Sequence, residues 1–258
     1  MRPLILLSND DGYSAPGLTA VRDELARHAD VVVCAPAVNQ SATSHSLSLH
    51  RVLRLLEAAP GVFAVDGTPA DCIYVALHAG TRVLPRRPDL VVSGMNHGLN
   101  LGADIFYSGT VAAAREGALR GVPSIALSAD AGASLPAAAA LGVKLALALH
   151  RAAGQEGRRP APLLNVNIPA GSSWPVRATR MGARLYTEEV IFRRDPRGHE
   201  YLWIGGAGVR HDLVPGSDTE AYDAGAVSVT PLTLDLFAAQ HEGIAGLLAA
   251  ELNDGPIP

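Results

Sequence analysis

The chain has 258 residues, 48% of them hydrophobic and 18% charged, and a formal net charge of -4. This composition supports a substantial core and excludes a disordered chain, while the negative balance excludes a general binder of duplex nucleic acid, which needs a basic face. Its two cysteines, Cys34 and Cys72, each sit in an apolar segment, so neither a disulfide framework nor a Cys/His zinc cluster is expected and a cytoplasmic location is.

The elements in chain order alternate between strand and helix. Residues 4–8 form a continuous apolar run, as a strand buried on both faces requires, and the run stops at Asn9-Asp10-Asp11-Gly12. It is too short for a secretory signal, and no apolar stretch reaches the ~20 residues of a membrane span, so no membrane association is expected. Leu18, Val21 and Leu25 recur at helical spacing within residues 16–28. Residues 31–35 and 62–65 read as strands, 69–78 as a helix, 90–93 as a strand, 110–120 as a helix and 124–128 as a strand. A long helix over 135–151 and a strand over 163–168 complete this part. The repeat implies an α/β fold: a Rossmann-like, mostly parallel sheet with helices on both faces. From 176 to 209 the pattern changes to polar-faced strands around Asp195-Pro196-Arg197-Gly198, predicting a β-hairpin arm. A strand over 227–230 and a closing helix within 232–252 follow, and the tail 254–258 is expected to fray. With no linker rich in Gly, Ser or Pro, residues 1–258 read as one unit. Its core spans about 1–170, and an appended arm and C-terminal segment span about 176–252.

Ligands of open parallel sheets bind beyond the carboxyl ends of the strands. The first strand delivers Asn9, Asp10 and Asp11 there; the loop after the second carries Ser41 and His45; the strand at 90–93 leads to Asn96 and His97, then Ser108-Gly109-Thr110. Adjacent carboxylates with a glycine behind them either turn together toward one cation or divide into a helix cap and a solvated partner. Asp, Asp, Ser and Asn offer only oxygen, which suits Mg²⁺ or Mn²⁺ and fits zinc poorly. Ser108, Gly109 and Thr110 begin a helix and present N–H groups and hydroxyls, either to an anion or as a plain cap. The chain has a single lysine, Lys144, so no GxxxxGK[ST] phosphate loop exists.

These blocks resemble one family. Leu6-Leu7-Ser8-Asn9-Asp10-Asp11-Gly12, Gln40-Ser41-Ala42-Thr43-Ser44-His45, Gly67-Thr68-Pro69-Ala70-Asp71, Ser93-Gly94-Met95-Asn96-His97-Gly98, Tyr107-Ser108-Gly109-Thr110 and Asp218-Thr219 stand in the order found in the SurE (survival protein E) nucleotidases. The resemblance runs from residue 1 to about 240 and is loose from about 130 to 215. It implies a metal held by Asp10, Asp11, Ser41 and Asn96, and hydrolysis of nucleoside 5′- and 3′-monophosphates, with polyphosphate trimming in some members. It also implies homodimers or homotetramers built with the hairpin and exchanged C-terminal segments. Gln40 stands where many members carry arginine, which lowers the positive charge near Ser41.

The expected chemistry is thus a phosphomonoesterase with one Mn²⁺ or Mg²⁺ per subunit and a nucleoside monophosphate as substrate. Asp10, Asp11 and Asn96 are the expected catalytic residues; Asn9, Ser108, Gly109 and Thr110 are the expected substrate and phosphate contacts, with Asn9 also orienting the aspartates. An aspartyl-nucleophile phosphatase usually separates its aspartates by one residue and pairs them with a lysine, which this chain does not do. A nucleotide-binding regulator without turnover remains the reading from another class. A dinucleotide dehydrogenase lacks its GxGxxG after the first strand.

Overall fold

In a computed structural model describing residues 2–154, 161–186, 190–205, 209–212 and 214–254, the first strand, β1 (Leu4–Ser8), is buried along its whole length. Of the tail expected to fray, 254–258, Asp254 ends the last helix and 255–258 lie outside the described residues. Then come α1 (Pro16–Leu25), β2 (Asp30–Pro36), β3 (Leu55–Ala59), β4 (Val62–Val65), α2 (Pro69–His78), β5 (Leu90–His97) and α3 (Gly109–Leu119). β6 (Ser124–Ala129), α4 (Leu135–Ala153), β7 (Leu163–Ile168), β8 (Val176–Ala178), β9 (Ala183–Tyr186) and β10 (Val190–Arg194) follow. The chain continues through β11 (Glu200–Ile204), β12 (Val209–Asp212), α5 (Asp218–Asp223), β13 (Val227–Leu232) and α6 (Glu242–Asp254).

Nine strands form one sheet in the order β3-β4-β2-β1-β5-β6-β7-β13-β8. Its pairings are parallel except β3 with β4 and β7 with β13. Successive residues of β1 serve opposite faces, as the strand period requires. Ile5 and Leu7 pack with Leu18, Val21 and Leu25 of α1 and with Ala138, Val143 and Ala146 of α4. Leu4 and Leu6 pack with Cys72, Ile73 and Ala76 of α2 and Ala113 of α3. Both layers are therefore apolar where they meet the sheet, and each fully buried Leu, Ile or Val contributes about 1.5–3 kcal/mol. Although α4 has the length and mean hydropathy of a membrane span, its Ala138, Gly142, Val143 and Ala146 face is buried against the core, as in a core helix.

Local chemistry sets the helix starts. Pro16 opens α1 without a side-chain cap, whereas Thr68 and Asp71 form a capping box at α2. β5 is longer than its apolar run predicts and carries Asn96 and His97 within the strand. β3 was not legible because it lies exposed along its length at the sheet edge. The region 176–209 divides differently from a single hairpin. β8 joins the main sheet beside β13, and β9 pairs with β12. The predicted turn does form: Asp195 receives N–H donors from Arg197, Gly198 and His199, between β10 and β11. The closing helix occupies the second half of its expected range and runs on to Asp254; before it, Thr233 and Asp235 accept from the N–H groups two residues on and favour turns over helix.

Candidate active site

Three strand-end segments and the start of one helix meet at Asp10 and Asp11. Gly12 gives the turn its shape, with φ +105°, a region where a side chain is strained. Asn9 is fully buried and donates Nδ2 to the Gly12 carbonyl at 3.0 Å. It thus braces the turn from behind, while its Oδ1 is buried without a hydrogen-bond partner. From the loop after β2, Gln40 donates its N–H to the Asp10 carbonyl at 2.7 Å and Asn39 Nδ2 to Asp11 Oδ1 at 3.2 Å. From the end of β5, the His97 N–H reaches Asp11 Oδ2 at 3.3 Å. From the start of α3, Thr110 Oγ1 donates to Asp10 Oδ1.

Placement of the predicted residues is mixed in detail. Asp10 is buried, and burial pushes its carboxyl above the ordinary value; hydrogen bonds from Thr110 pull it down, and the Asp11 charge raises it again. Ser41 is exposed, and its N–H bonds Asn39 Oδ1 at 3.0 Å; among the described residues its hydroxyl bonds neither aspartate. Asn96 is half-buried and donates Nδ2 to Gly98 O at 2.9 Å. Ser108 caps α3 by accepting the Val111 N–H at 3.1 Å. The Thr110 hydroxyl is engaged by Asp10. Gly109 lies tight against Asp10, where an added Cβ would stand 2.8 Å from the Asp10 Cβ.

Sequence reasoning passed over the residues that hold these segments in place. Asn39 links Asp11 to the Ser41 backbone, and an Asn two residues before a loop serine was the available signal. His45, read as a polar loop residue, bonds Glu116 at 2.9 Å, and Glu116 also binds Arg120 at 2.7 Å. Ser44 secures the same loop to the carbonyls of Phe106 and Tyr107. Asn165 and Asn167 both donate to the Asn100 carbonyl, and Asn100 bonds Ser128 at 2.7 Å. Asp218 accepts the N–H groups of Gly102 and Gly182, a structural clamp.

Glu116 gives a pH prediction. Burial raises its carboxyl, but hydrogen bonds from His45 and Arg120 and the Arg120 charge outweigh that and leave it below its ordinary value. A lowered folded-state value means stability present above the ordinary 4.5 and lost as pH falls through the lower value. With partners 17% and 39% exposed, Glu116→Gln is expected to cost about 1–2 kcal/mol at pH 7. The gap should shrink in strong acid. Denaturant unfolding at both pH values checks this, and an equal gap would remove the ionic account.

A crevice of about 440 Å³ adjoins Asp11 and Asn96, walled by the start of α1, the end of β5 and the residues 129–135 that join β6 to α4. No group of three or more His, Cys, Asp or Glu side chains able to hold a metal occurs among the described residues, so any cation here depends on Ser and Asn oxygens beside the aspartates.

A family model of survival protein SurE matches residues 5–188. The chain is 46% identical over 233 residues to a 5′-nucleotidase SurE of Syntrophotalea carbinolica, covering 90% of this chain and 92% of that one. It is 51% identical over 237 residues to a 5′-nucleotidase SurE of Anaeromyxobacter dehalogenans, covering 90% of each. The crystal structure of the SurE protein from Aquifex aeolicus superposes with a TM-score of 0.81 at 37% identity, covering 96% of this chain and all of that one. With matched sequence running through every segment that meets at Asp10 and Asp11, this chain belongs to the SurE family.

Proposed function

We propose that this protein is a metal-dependent 5′-nucleotidase that also accepts 3′-monophosphates, cleaving nucleoside monophosphates to nucleoside and phosphate in the cytoplasm. Polyphosphate is the further candidate substrate. The observation that carries the reading is the convergence of the loop after β2, the end of β5 and the start of α3 on two adjacent carboxylates, one of them buried. The donor set fits a hard divalent cation: Asp10, Asp11, Ser41 and Asn96 offer oxygen alone, and burial and like charge both press on Asp10 in a way that a cation relieves. When bound, Mn²⁺ or Mg²⁺ supplies positive charge that polarises the phosphoryl group and acidifies water.

The chain's own residues supply the rest. Asn96, the Ser108 hydroxyl and the Gly109 N–H stand as donors for the equatorial phosphoryl oxygens. Thr110 and Asn9 fix the carboxylates. Water adds to phosphorus as the bond to the nucleoside oxygen breaks; the water proton passes to an aspartate, with Asp11 the more exposed of the two, and from there to the departing oxygen, which leaves as the nucleoside hydroxyl. The test is a phosphate-release assay over AMP, ATP and other nucleotides, with Mn²⁺, Mg²⁺ or chelator. Monophosphates should be cleaved faster than triphosphates, because among the described residues no lysine or arginine lines the crevice beside the aspartates to receive a longer phosphate chain. Equal or faster release from triphosphates would count against this specificity.

Residues 1–258 act as one unit in this proposal, with the arm and C-terminal segment serving a homodimer or homotetramer. In the arm, Val190 and Phe192 lie on one face and Tyr201 and Trp203 on the other. Register sets Phe192 opposite Leu202 and Val190 opposite Ile204, and directly opposed residues lie on the same side. That side is apolar and 50–85% exposed, and an isolated hairpin is marginal in water. On α6, Ile244, Leu247 and Leu248 are exposed on one stripe. A second copy is the proposed cover. Deleting residues 188–202 should shift light-scattering mass toward monomer at micromolar concentration, and a monomeric wild type would sink the idea.

A further inference from the structure

We infer that Arg184, on β9 at the base of the arm, is a positioning residue for phosphoryl transfer: through Asp104 it holds the start of α3 in place. Ser108 and Gly109 are the donors it serves, so the inference rests on the nucleotidase reading. Asn96 and Ser108 both stand as phosphate donors in that reading, yet the segment 97–107 separates them. Most of that segment lies outside regular structure, with a 3₁₀ turn at Gly102–Phe106. A donor lowers the barrier only if it is held where charge develops. What fixes this segment therefore bears on the rate.

Asp104 is the junction. Its carbonyl accepts the N–H groups of Tyr107 and Ser108, each at 3.0 Å, so the residue that caps α3 hangs from Asp104. Its carboxylate takes the other direction: Arg184 Nη1 donates to Asp104 Oδ2 at 2.7 Å, and the two side chains are 18% and 11% exposed. The same Nη1 stands 3.5 Å from the Leu99 carbonyl. A charge-assisted bond of this length is about twice as strong as a neutral one, and burial shields it from salt. One guanidinium thus reaches both ends of the stretch that leads into Ser108.

The backbones around this pair are packed too closely to absorb a shift. Gly102 has φ +51°, and a Cβ there would stand 2.6 Å from the Gly182 carbonyl oxygen and 3.2 Å from the Arg184 nitrogen. Asp218 accepts the Gly102 N–H at 2.9 Å and the Gly182 N–H at 2.7 Å. One buried carboxylate therefore ties the 99–108 stretch to the residues just before Arg184. These bonds set the two backbones side by side. The Arg184 side chain then carries the contact on to the residue from which Ser108 hangs. Displacing that side chain frees Asp104 to move, and Ser108 and Gly109 move with it.

The test uses the whole chain with Arg184→Lys and Asp104→Asn, singly and together. Alanine at 184 would strand the buried Asp104 charge and unfold the junction. Lysine keeps the charge and loses only the rigid planar guanidinium, so this variant should fold. With AMP and Mn²⁺, kcat per folded molecule should fall about tenfold in each single variant while KM changes little, because the lost contacts act in the transition state. The double variant should fall no further than the weaker single one, since both act through one contact. Hydrogen exchange in Arg184→Lys should rise about tenfold over residues 105–112 and stay at the wild-type level in β1. A lower melting temperature with unchanged kcat per folded molecule would overturn the inference, as would unchanged exchange over 105–112 or losses that multiply in the double variant. If exchange rises there but wild type releases phosphate from no monoester, the positioning stands and the nucleotidase reading fails.

Discussion

Asp11→Asn is expected to lower phosphate release by about 10²–10³-fold, since charge stabilisation and positioning of the phosphoryl group fail together. The side chain keeps its size, and its one carbonyl oxygen can still accept either from Asn39 or from the His97 N–H, so the fold should persist with one of these weak bonds lost. Asp10 explains the expected stability. Its folded-state value is raised, so its stabilising contribution is full below the ordinary 3.8 and lost as pH rises through the raised value. At neutral pH the ionised Asp10 therefore works against the fold unless a cation offsets it, and removing the neighbouring charge relieves part of that strain. In chelator the variant should melt no lower than wild type. Added Mn²⁺ should raise the melting temperature of wild type more than that of the variant, by mass action on the native state. Phosphate release and thermal melts, each with and without Mn²⁺, read both effects. Full activity of Asp11→Asn in chelator would remove the metal mechanism, and loss of activity together with unfolding would return Asp11 to a structural role.

Gly109→Ala should cut kcat/KM by about 10²-fold through displacement alone. The added Cβ would stand 2.8 Å from the Asp10 Cβ, 3.1 Å from Asp10 Oδ2 and 3.1 Å from Pro69 Cγ. None of these can yield freely, because Asp10 is buried in the turn that follows β1 and Pro69 begins α2. The start of α3 must move, taking the Thr110 hydroxyl away from Asp10 and the Gly109 N–H away from the phosphate. Stability should change little, as alanine favours the helix by about 1 kcal/mol over glycine and offsets the local clash. Steady-state kinetics with a thermal melt check this. Near-wild-type turnover would show that close packing at Gly109 is incidental to catalysis.

Much of the sheet was legible because a strand buried on both faces must be apolar throughout. Leu4–Ser8 and Leu163–Ile168 have the bounds their composition predicts. β3 was not, because an exposed edge strand carries no such constraint. Within the arm, composition announced the hairpin and the Asp195–Gly198 turn, but register chose which residues share a face and set Leu202 and Ile204 beside Phe192 and Val190. A one-residue change of register would reverse that choice.

By itself the sequence determined the α/β class, the chain order of the site segments and their family, since each is written in local pattern: apolar runs, glycine after paired aspartates, small residues at a helix start. Only the tertiary structure decided what those segments do to one another. It turned the Thr110 hydroxyl onto Asp10, put Asn39 between Asp11 and Ser41, joined His45 to Glu116 and opened a crevice between α1 and the 129–135 turn. These partners lie up to 100 residues apart in the chain. A side chain's role there depends on which distant group meets it, and the sheet order, which brings β1 and β5 side by side, makes that meeting.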